Sequence, residues 1–188
     1  MRVALSLLLL AAAPQLAAQA LTSAELMREL AKVEASHATF VETKRSALLK
    51  EPLVTRGTLA YRRPASIEKH VLQPYNERFA IEGDVLTLEN RRGRKLKTSV
   101  SGAPGLAALV EGIRATRAGD LAALERHYEV RVEGRREGWT LLLRPTADEV
   151  ARHVASITVS GTGSRIVRVE IEEASGDRAV MEIQEELK

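Results

Sequence analysis

The feature that most constrains the fold of this chain is a series of short, strand-like segments separated by turn signals. Apolar side chains recur at every second position in many segments, the period of a strand with one buried face. Pairs such as Gly83-Asp84, Arg92-Gly93 and Gly176-Asp177 mark turns between them. The predicted strands cover residues 38–48, 53–63, 66–72, 77–82, 85–90, 94–100, 128–134, 138–145, 154–160, 165–173 and 178–184. Short connections join antiparallel neighbours, so these eleven strands predict a curled antiparallel sheet or half-open β-barrel.

Three helices complete the predicted architecture. The first starts at a capping box over residues 22–25 and continues at helical spacing with Leu26, Leu30, Val33 and His37. The second begins at Pro104 and carries the apolar stripe Leu106, Leu109, Val110 and Ile113. A short third helix begins at Leu121. These stripes need an apolar surface, and the concave face of the sheet is the available one, so the fold class is mainly β with an α lid.

The first twenty residues have the layout of a cleaved secretory signal. Arg2 precedes an apolar run over residues 3–13, and Ala18-Gln19-Ala20 supplies a small-x-small end. The run is too short to span a bilayer by itself, and an uncleaved anchor is the alternative. We expect a single domain over residues 21–188, which in a Gram-negative bacterium would be soluble in the periplasm. The absence of cysteine excludes disulfides and a cysteine-linked lipid anchor.

Composition and motifs argue against an enzyme, a metalloprotein and a nucleic-acid binder. Twenty-eight Lys and Arg residues nearly balance twenty-five Asp and Glu residues, and aromatic residues make up only 3% of the chain, so base-stacking surfaces are scarce. The sequence contains neither a P-loop nor a Gly-x-Ser-x-Gly elbow. Its four histidines lack metal-ligand spacing. We therefore expect no catalytic residue, no metal and no cofactor.

Residues 91–95, with the sequence Arg-Arg-Gly-Arg-Lys, form a basic hairpin tip. The simpler interpretation is a solvated turn that protects a sheet edge. The alternative is a transient contact with anionic lipid headgroups or an acidic partner.

Three motifs carry a family resemblance. They are Ser36-His37-Ala38-Thr39-Phe40, then Gly57-Thr58-Leu59-x-Tyr61-x-Arg63-Pro64, then Gln73-Pro74. In order and spacing they resemble the periplasmic outer-membrane lipoprotein carriers of the LolA family. The resemblance implies an open barrel of eleven strands with a helical lid over an apolar cavity that carries acylated cargo. In that family the arginine before this proline bonds to backbone carbonyls of the lid and holds it shut, and Arg63 occupies its position.

Elementary physics gives Arg63 a related role. Side chains alternate between the two faces of a strand, and we call this alternation strand parity. It places Arg63 on the face of Leu59 and Tyr61, which would direct its guanidinium towards the cavity. A buried guanidinium needs acceptors, and the carbonyls at a helix end supply them. Arg63 is therefore a candidate latch that favours the closed lid and promotes release. The alternative is an ion pair with a carboxylate at the barrel rim, without gating.

The same parity predicts which residues contact cargo. The expected cavity walls comprise Phe40, Leu59, Tyr61, Ile67, Val71, Phe79, Ile81, Leu86 and Leu88. The expected lid contributes Leu26, Leu30, Leu106, Leu109, Val110 and Ile113. Ordinary core packing is the alternative for each of them, since apolar periodicity does not distinguish a filled interior from a hollow one.

The sequence also departs from the family pattern. Lys69 stands where the family tends to place a cavity aromatic, and the stretch after Asp84 is rich in leucine instead of aromatic residues. The cargo is therefore either a lipoprotein or another acylated or polyene lipid. We expect a monomer that receives cargo from an inner-membrane donor complex and delivers it to an outer-membrane acceptor. The alternative functions are an adaptor that senses lipidated proteins and regulates a membrane partner, and an enzyme acting on envelope lipids, for which no catalytic grouping is evident.

Overall fold

The computed structural model describes residues 20–64, 66–102 and 104–185, so the predicted signal peptide lies almost entirely outside it. Its first six strands are β1 (Ala35–Arg45), β2 (Leu53–Arg62), β3 (Ser66–Gln73), β4 (Glu77–Glu82), β5 (Val85–Glu89) and β6 (Lys95–Ser99). Five more follow, namely β7 (Tyr128–Arg135), β8 (Gly138–Pro145), β9 (Val154–Thr162), β10 (Arg165–Glu173) and β11 (Arg178–Glu185). The helices are α1 (Ser23–Leu30), α2 (Pro104–Ala118), α3 (Leu121–Glu125) and α4 (Asp148–Ala151).

All eleven strands belong to one antiparallel sheet in the order β6-β5-β4-β3-β2-β1-β11-β10-β9-β8-β7. The first and last strands of the chain, β1 and β11, pair at its centre, with Phe40 opposite Ile183. Within the described residues β6 and β7 remain its two edges, so the sheet curls without closing. The predicted fold class is therefore confirmed, while the described residues contain a fourth helix, α4, beyond the three predicted.

Helix α1 confirms the capping box and shortens the predicted apolar stripe. The Thr22 hydroxyl accepts a hydrogen bond from the Glu25 backbone amide at 3.2 Å, and the Thr22 amide donates to the Glu25 carboxylate at 2.9 Å. The helix ends at Leu30, and Ala31 is its C-cap. His37 lies in β1 instead, so its assignment to the helical stripe is wrong: the chain leaves the helix in order to enter the sheet beside β2.

The interior contains two separate packed clusters. The larger joins Leu26, Met27 and Leu30 of α1 to α3 and to the inner face of β7–β10, and includes Trp139 and Leu141. The smaller contains Leu86, Val100 and Val110 and lies where α2 crosses the β4–β6 side. A filled interior would unite these clusters, so their separation is what positions the cavity described below. None of the described helices has both the length and the apolar character needed to cross a membrane.

Gly119 ends α2 and lets it pack closely against α1. Its φ of +69° lies in the left-handed region, and an added Cβ would lie 2.1 Å from the Met27 carbonyl oxygen. We expect Gly119→Ala to lower the free energy of unfolding by about 3 kcal/mol, because left-handed strain adds to a backbone clash. Urea denaturation would measure this loss.

Gly163→Ala is the matched control for this prediction. Gly163 has a φ of +56°, but an added Cβ would meet nothing within 4 Å. We expect Gly163→Ala to lower the free energy of unfolding by about 1 kcal/mol, the cost of the left-handed conformation alone. Equal losses in the two variants would show that α1 and α2 do not depend on this close approach.

Candidate functional site

An apolar cavity of about 360 Å³ lies between α2 and the concave face of the sheet. This volume falls within the range of about 300–1,000 Å³ that is usual for small-molecule sites. The cavity contacts members of both packed clusters, including Leu86 on one side and Ile157 on the other. It is therefore the space that the two clusters leave between them.

Two walls and a roof enclose the cavity. The first wall, from the amino-terminal half of the sheet, includes Ala38, Leu59, Tyr61, Ile67, Phe79, Ile81 and Leu86. The second wall, from the carboxyl-terminal half, includes Leu143, Ile157, Val159, Ile166, Val169, Ile171, Met181 and Ile183. The roof is α2, through Leu106, Leu109, Val110, Gly112, Ile113, Thr116 and Arg117.

The predicted cavity residues separate into two groups. Six of them line the cavity, namely Leu59, Tyr61, Ile67, Phe79, Ile81 and Leu86. Phe40 and Val71 are buried beside Gly57 instead. Phe40 packs into the space that is free because Gly57 has no side chain. Leu88 packs against the smaller cluster. The second wall was not proposed from the sequence, although its strands show the same alternation.

The predicted lid residues also separate. Leu106, Leu109, Val110 and Ile113 of α2 face the cavity. Leu26 and Leu30 of α1 are fully buried in the larger cluster and do not line it. The cavity roof is therefore α2, while α1 packs behind it.

Arg63 contacts a helix end, but its side chain is exposed. Strand β2 ends at Arg62, so the parity that would turn Arg63 inward no longer applies, and that interpretation is wrong. Its guanidinium donates to the carbonyl oxygen of Ala31, the C-cap of α1, at 2.7 Å. Among the described residues Arg63 forms no ion pair with a rim carboxylate. The arginine thus ties β2 to the end of α1 from the outside.

Arg117 is the buried arginine of the site, and the sequence analysis missed it. It is only 8% exposed, it lines the cavity, and its guanidinium lies 5.0 Å from the centre of the Tyr61 ring. Nη1 donates to the Glu185 carboxylate at 3.2 Å, and Nη2 donates to the Ser36 hydroxyl. These contacts tie the carboxyl-terminal turn of α2 to three strands. Its position four residues after Ile113 continues the apolar stripe, which is the signal that could have identified it.

A second arginine in the carboxyl-terminal half of α2 contacts the β4–β5 hairpin. Arg114 donates to the carbonyl oxygen of Gly83, and the neighbouring Asp84 carboxylate accepts from Ser99 and Ser101. The Ser99 hydroxyl bond, followed by the Ser101 amide, lowers the pKa of the Asp84 carboxyl below its usual value. The contacts of Arg114 and Arg117 therefore hold the carboxyl-terminal half of α2 above the cavity.

Lys69 faces the cavity, as the sequence suggested, but its charge is paired. Its Nζ lies 2.6 Å from a Glu42 carboxylate oxygen and 5.0 Å from the centre of the Phe40 ring. The Thr55 hydroxyl donates to the same oxygen at 3.2 Å. The cavity wall thus ends in a half-buried polar group, and Lys69 is not a free cation beside the apolar surface.

The basic tip is an ordered turn with exposed cations. The Asn90 side-chain oxygen accepts from the backbone amides of Arg92 and Arg94 at 2.9 and 3.1 Å. Lys95 lies 3.6 Å from Glu89, whereas Arg91, Arg92 and Arg94 form no ion pair within the described part of the chain. Histidine, aspartate and glutamate form no metal-binding cluster in the described ranges.

Comparison with known proteins identifies the family. The model of the family described as outer membrane lipoprotein carrier protein LolA-like matches residues 12–184. The chain belongs to this LolA-like family. The resemblance found in the three sequence motifs is thereby confirmed, while no curated protein matched the sequence.

The solved structures that are similar to this LolA-like protein share little sequence with it. A LolA superfamily protein from Nitrosomonas europaea is 11% identical, with 89% of this chain and 94% of that one covered and a TM-score of 0.49. A Pseudomonas aeruginosa MucA/MucB complex gives 12% identity, coverage of 88% and 57%, and a TM-score of 0.46. A Clostridioides difficile complex of the CwlD amidase with the GerS lipoprotein gives 11%, 81% and 84%, and 0.40. With TM-scores below 0.5, these likenesses carry no functional information.

Proposed function

We propose that this protein is a periplasmic carrier that binds the acyl chains of a lipoprotein or another envelope lipid and delivers them towards the outer membrane. The observation that supports this most directly is the apolar cavity of about 360 Å³ beneath α2. The family to which the chain belongs supports the same function. The cargo would displace or lift α2, which Arg114 and Arg117 hold at its carboxyl-terminal half.

The energy scale of acyl transfer suits such a cavity. Each buried methylene contributes about 0.8 kcal/mol, so a sixteen-carbon chain offers roughly 12 kcal/mol before other costs. A carrier must match most of this amount and still release its cargo. The sequence lacks a P-loop motif for binding a nucleotide. We therefore propose that donor and acceptor proteins in the two membranes set the direction of cargo transfer.

The polar anchors of α2 and α1 provide a reason for release. The closed form satisfies the Arg63 guanidinium at the Ala31 carbonyl and the Arg117 guanidinium at Glu185 and Ser36. Cargo that lifts the helices would break some of these bonds, which makes the loaded form less favourable. We propose that this opposing energy keeps the affinity for cargo low enough for delivery.

Replacing Arg63 tests this release mechanism. We expect Arg63→Leu to slow acyl release about fivefold, as loss of roughly 1 kcal/mol from the closed form would do. Arg62→Leu removes a neighbouring exposed arginine and is the control, for which we expect no change. Stopped-flow transfer of a fluorescent fatty acid to vesicles measures the rate. Equal release rates in the two variants, with both folds intact, would remove Arg63 from the mechanism.

The basic tip suits a transient contact with a membrane. Arg91, Arg92 and Arg94 are exposed and unpaired within the described chain, so they can approach anionic headgroups without breaking an ion pair.

We propose that residues 1–20 direct export and are removed, and that residues 21–188 act as a monomer.

Native mass spectrometry of protein purified from its own compartment tests the proposed function. We expect a bound acyl species in near-stoichiometric amount that moves to acceptor vesicles on mixing. A ligand-free protein in a lasting complex with a signalling membrane protein would instead favour the adaptor function. Turnover of a lipid by the pure protein would favour an enzyme.

A further inference from the structure

The cavity contains a polar atom without a partner. Tyr61 lines the cavity and is only 5% exposed. Its hydroxyl oxygen is buried, and no described residue forms a hydrogen bond with it. A buried hydroxyl without a partner is unfavourable, and such groups are rare in folded proteins. The position of this hydroxyl therefore needs an explanation that core packing does not give.

The surroundings of this hydroxyl are electropositive. The Arg117 guanidinium lies 5.0 Å from the centre of the Tyr61 ring. Burial raises the pKa of the Tyr61 hydroxyl, while the charges of Arg63 and Arg117 oppose that rise. The hydroxyl therefore keeps its proton at neutral pH and is available as a donor. An uncharged donor close to the Arg117 guanidinium suits an acceptor oxygen.

The acceptor groups around the two arginines bond to the guanidinium groups and not to the Tyr61 hydroxyl. The Glu185 carboxylate and the Ser36 hydroxyl both accept from Arg117, and the Ala31 carbonyl accepts from Arg63. A guanidinium has five N–H donors, so Arg117 can donate to a further oxygen. The site thus has spare donors, and the occupant that would complete it must bring an acceptor.

We propose that the Tyr61 hydroxyl, supported by Arg117, binds the carbonyl oxygen of the acyl group in the cargo. This inference rests on the proposed carrier function and names the chemical class of its ligand: an acyl ester, amide or acid rather than a plain hydrocarbon. The carbonyl lies at the carboxyl-terminal end of α2, and the tail contacts the apolar wall of Leu59, Ile67 and Phe79. The arrangement fixes which end of the acyl chain reaches Tyr61.

The variant Tyr61→Phe removes only the hydroxyl, so it separates the carbonyl contact from apolar packing. Its affinity for methyl laurate is expected to fall about tenfold, and its affinity for dodecane much less, measured by displacement of an environment-sensitive dye. Tyr75→Phe, which alters an exposed tyrosine away from the cavity, is the control and should change neither affinity. Equal losses for the two ligands in Tyr61→Phe would overturn the proposal.

The stability of the unliganded protein provides a second readout. Because the hydroxyl lacks a partner without cargo, Tyr61→Phe should unfold at the same urea concentration as the parent or a higher one. A clear drop would mean that the hydroxyl is already satisfied in the empty protein, which overturns the proposal. If the parent protein binds neither ligand, the carrier function itself fails; if it binds both and Tyr61→Phe affects neither, only this inference fails.

Discussion

Replacing Arg117 with methionine is expected to lower the free energy of unfolding by about 3–5 kcal/mol, the usual cost of leaving one half of a buried ion pair alone. The Arg117 and Glu185 side chains are only 9% and 15% exposed, so water cannot easily take the place of the missing guanidinium. The variant also removes the contacts with Ser36 and Tyr61. Urea denaturation followed by circular dichroism measures the loss.

Two further variants make this prediction specific. Arg131→Met removes an arginine whose partner, Glu133, lies 2.9 Å away, but their side chains are 67% and 62% exposed, so we expect a loss below about 1 kcal/mol. Arg117→Met combined with Glu185→Leu removes both buried charges and should recover most of the stability. Similar losses for Arg117→Met and Arg131→Met would show that the Arg117 anchor contributes nothing beyond a surface ion pair.

Filling the cavity is expected to abolish most acyl binding. Leu59 lines the cavity from β2, and Leu59→Trp would place an indole in the space beneath α2. We expect the affinity for a long-chain fatty acid to fall at least tenfold, since the ligand and the indole cannot share one volume. Isothermal titration calorimetry of both proteins against the same fatty acid measures the change.

The neighbouring residue supplies the control for the filled cavity. Thr58 is exposed on the opposite face of β2, so Thr58→Trp adds the same side chain outside the barrel. We expect its affinity to remain within twofold of the parent. Undiminished binding by a folded Leu59→Trp protein would place the acyl site elsewhere.

Turn chemistry made most of the sheet predictable. Strands β4, β8 and β10 match their predicted bounds of 77–82, 138–145 and 165–173, because glycine- or proline-containing turns border them. Strand β1 begins three residues earlier than the predicted residue 38, at Ala35. The four-residue spacing between Val33 and His37 fits a helix as well as a strand. Only the pairing of this segment with β2 decides between the two structures.

Strand parity predicted the first cavity wall but could not identify its polar contacts. Leu59, Tyr61 and Ile67 line the cavity because each lies within a strand, whereas Arg63 lies one residue beyond β2 and is exposed. The Arg117–Glu185 pair joins residues 68 positions apart in the sequence. Lys69 of β3 contacts Glu42 of β1, which is two strands away in the sheet. Such long-range pairs depend on how α2 and the sheet meet, which local periodicity does not contain. The four-residue helix α4 was likewise too short to predict.

The most direct test is whether a fatty tail enters the space beneath α2. A stearic acid with a nitroxide near its methyl end broadens NMR signals of nearby methyl groups. We expect strong broadening of the Ile67, Ile113 and Val169 methyls, which line the cavity from its two walls and its roof. Broadening confined to exposed side chains such as Leu48 and Leu72, or none at any methyl group, would contradict an acyl-binding cavity.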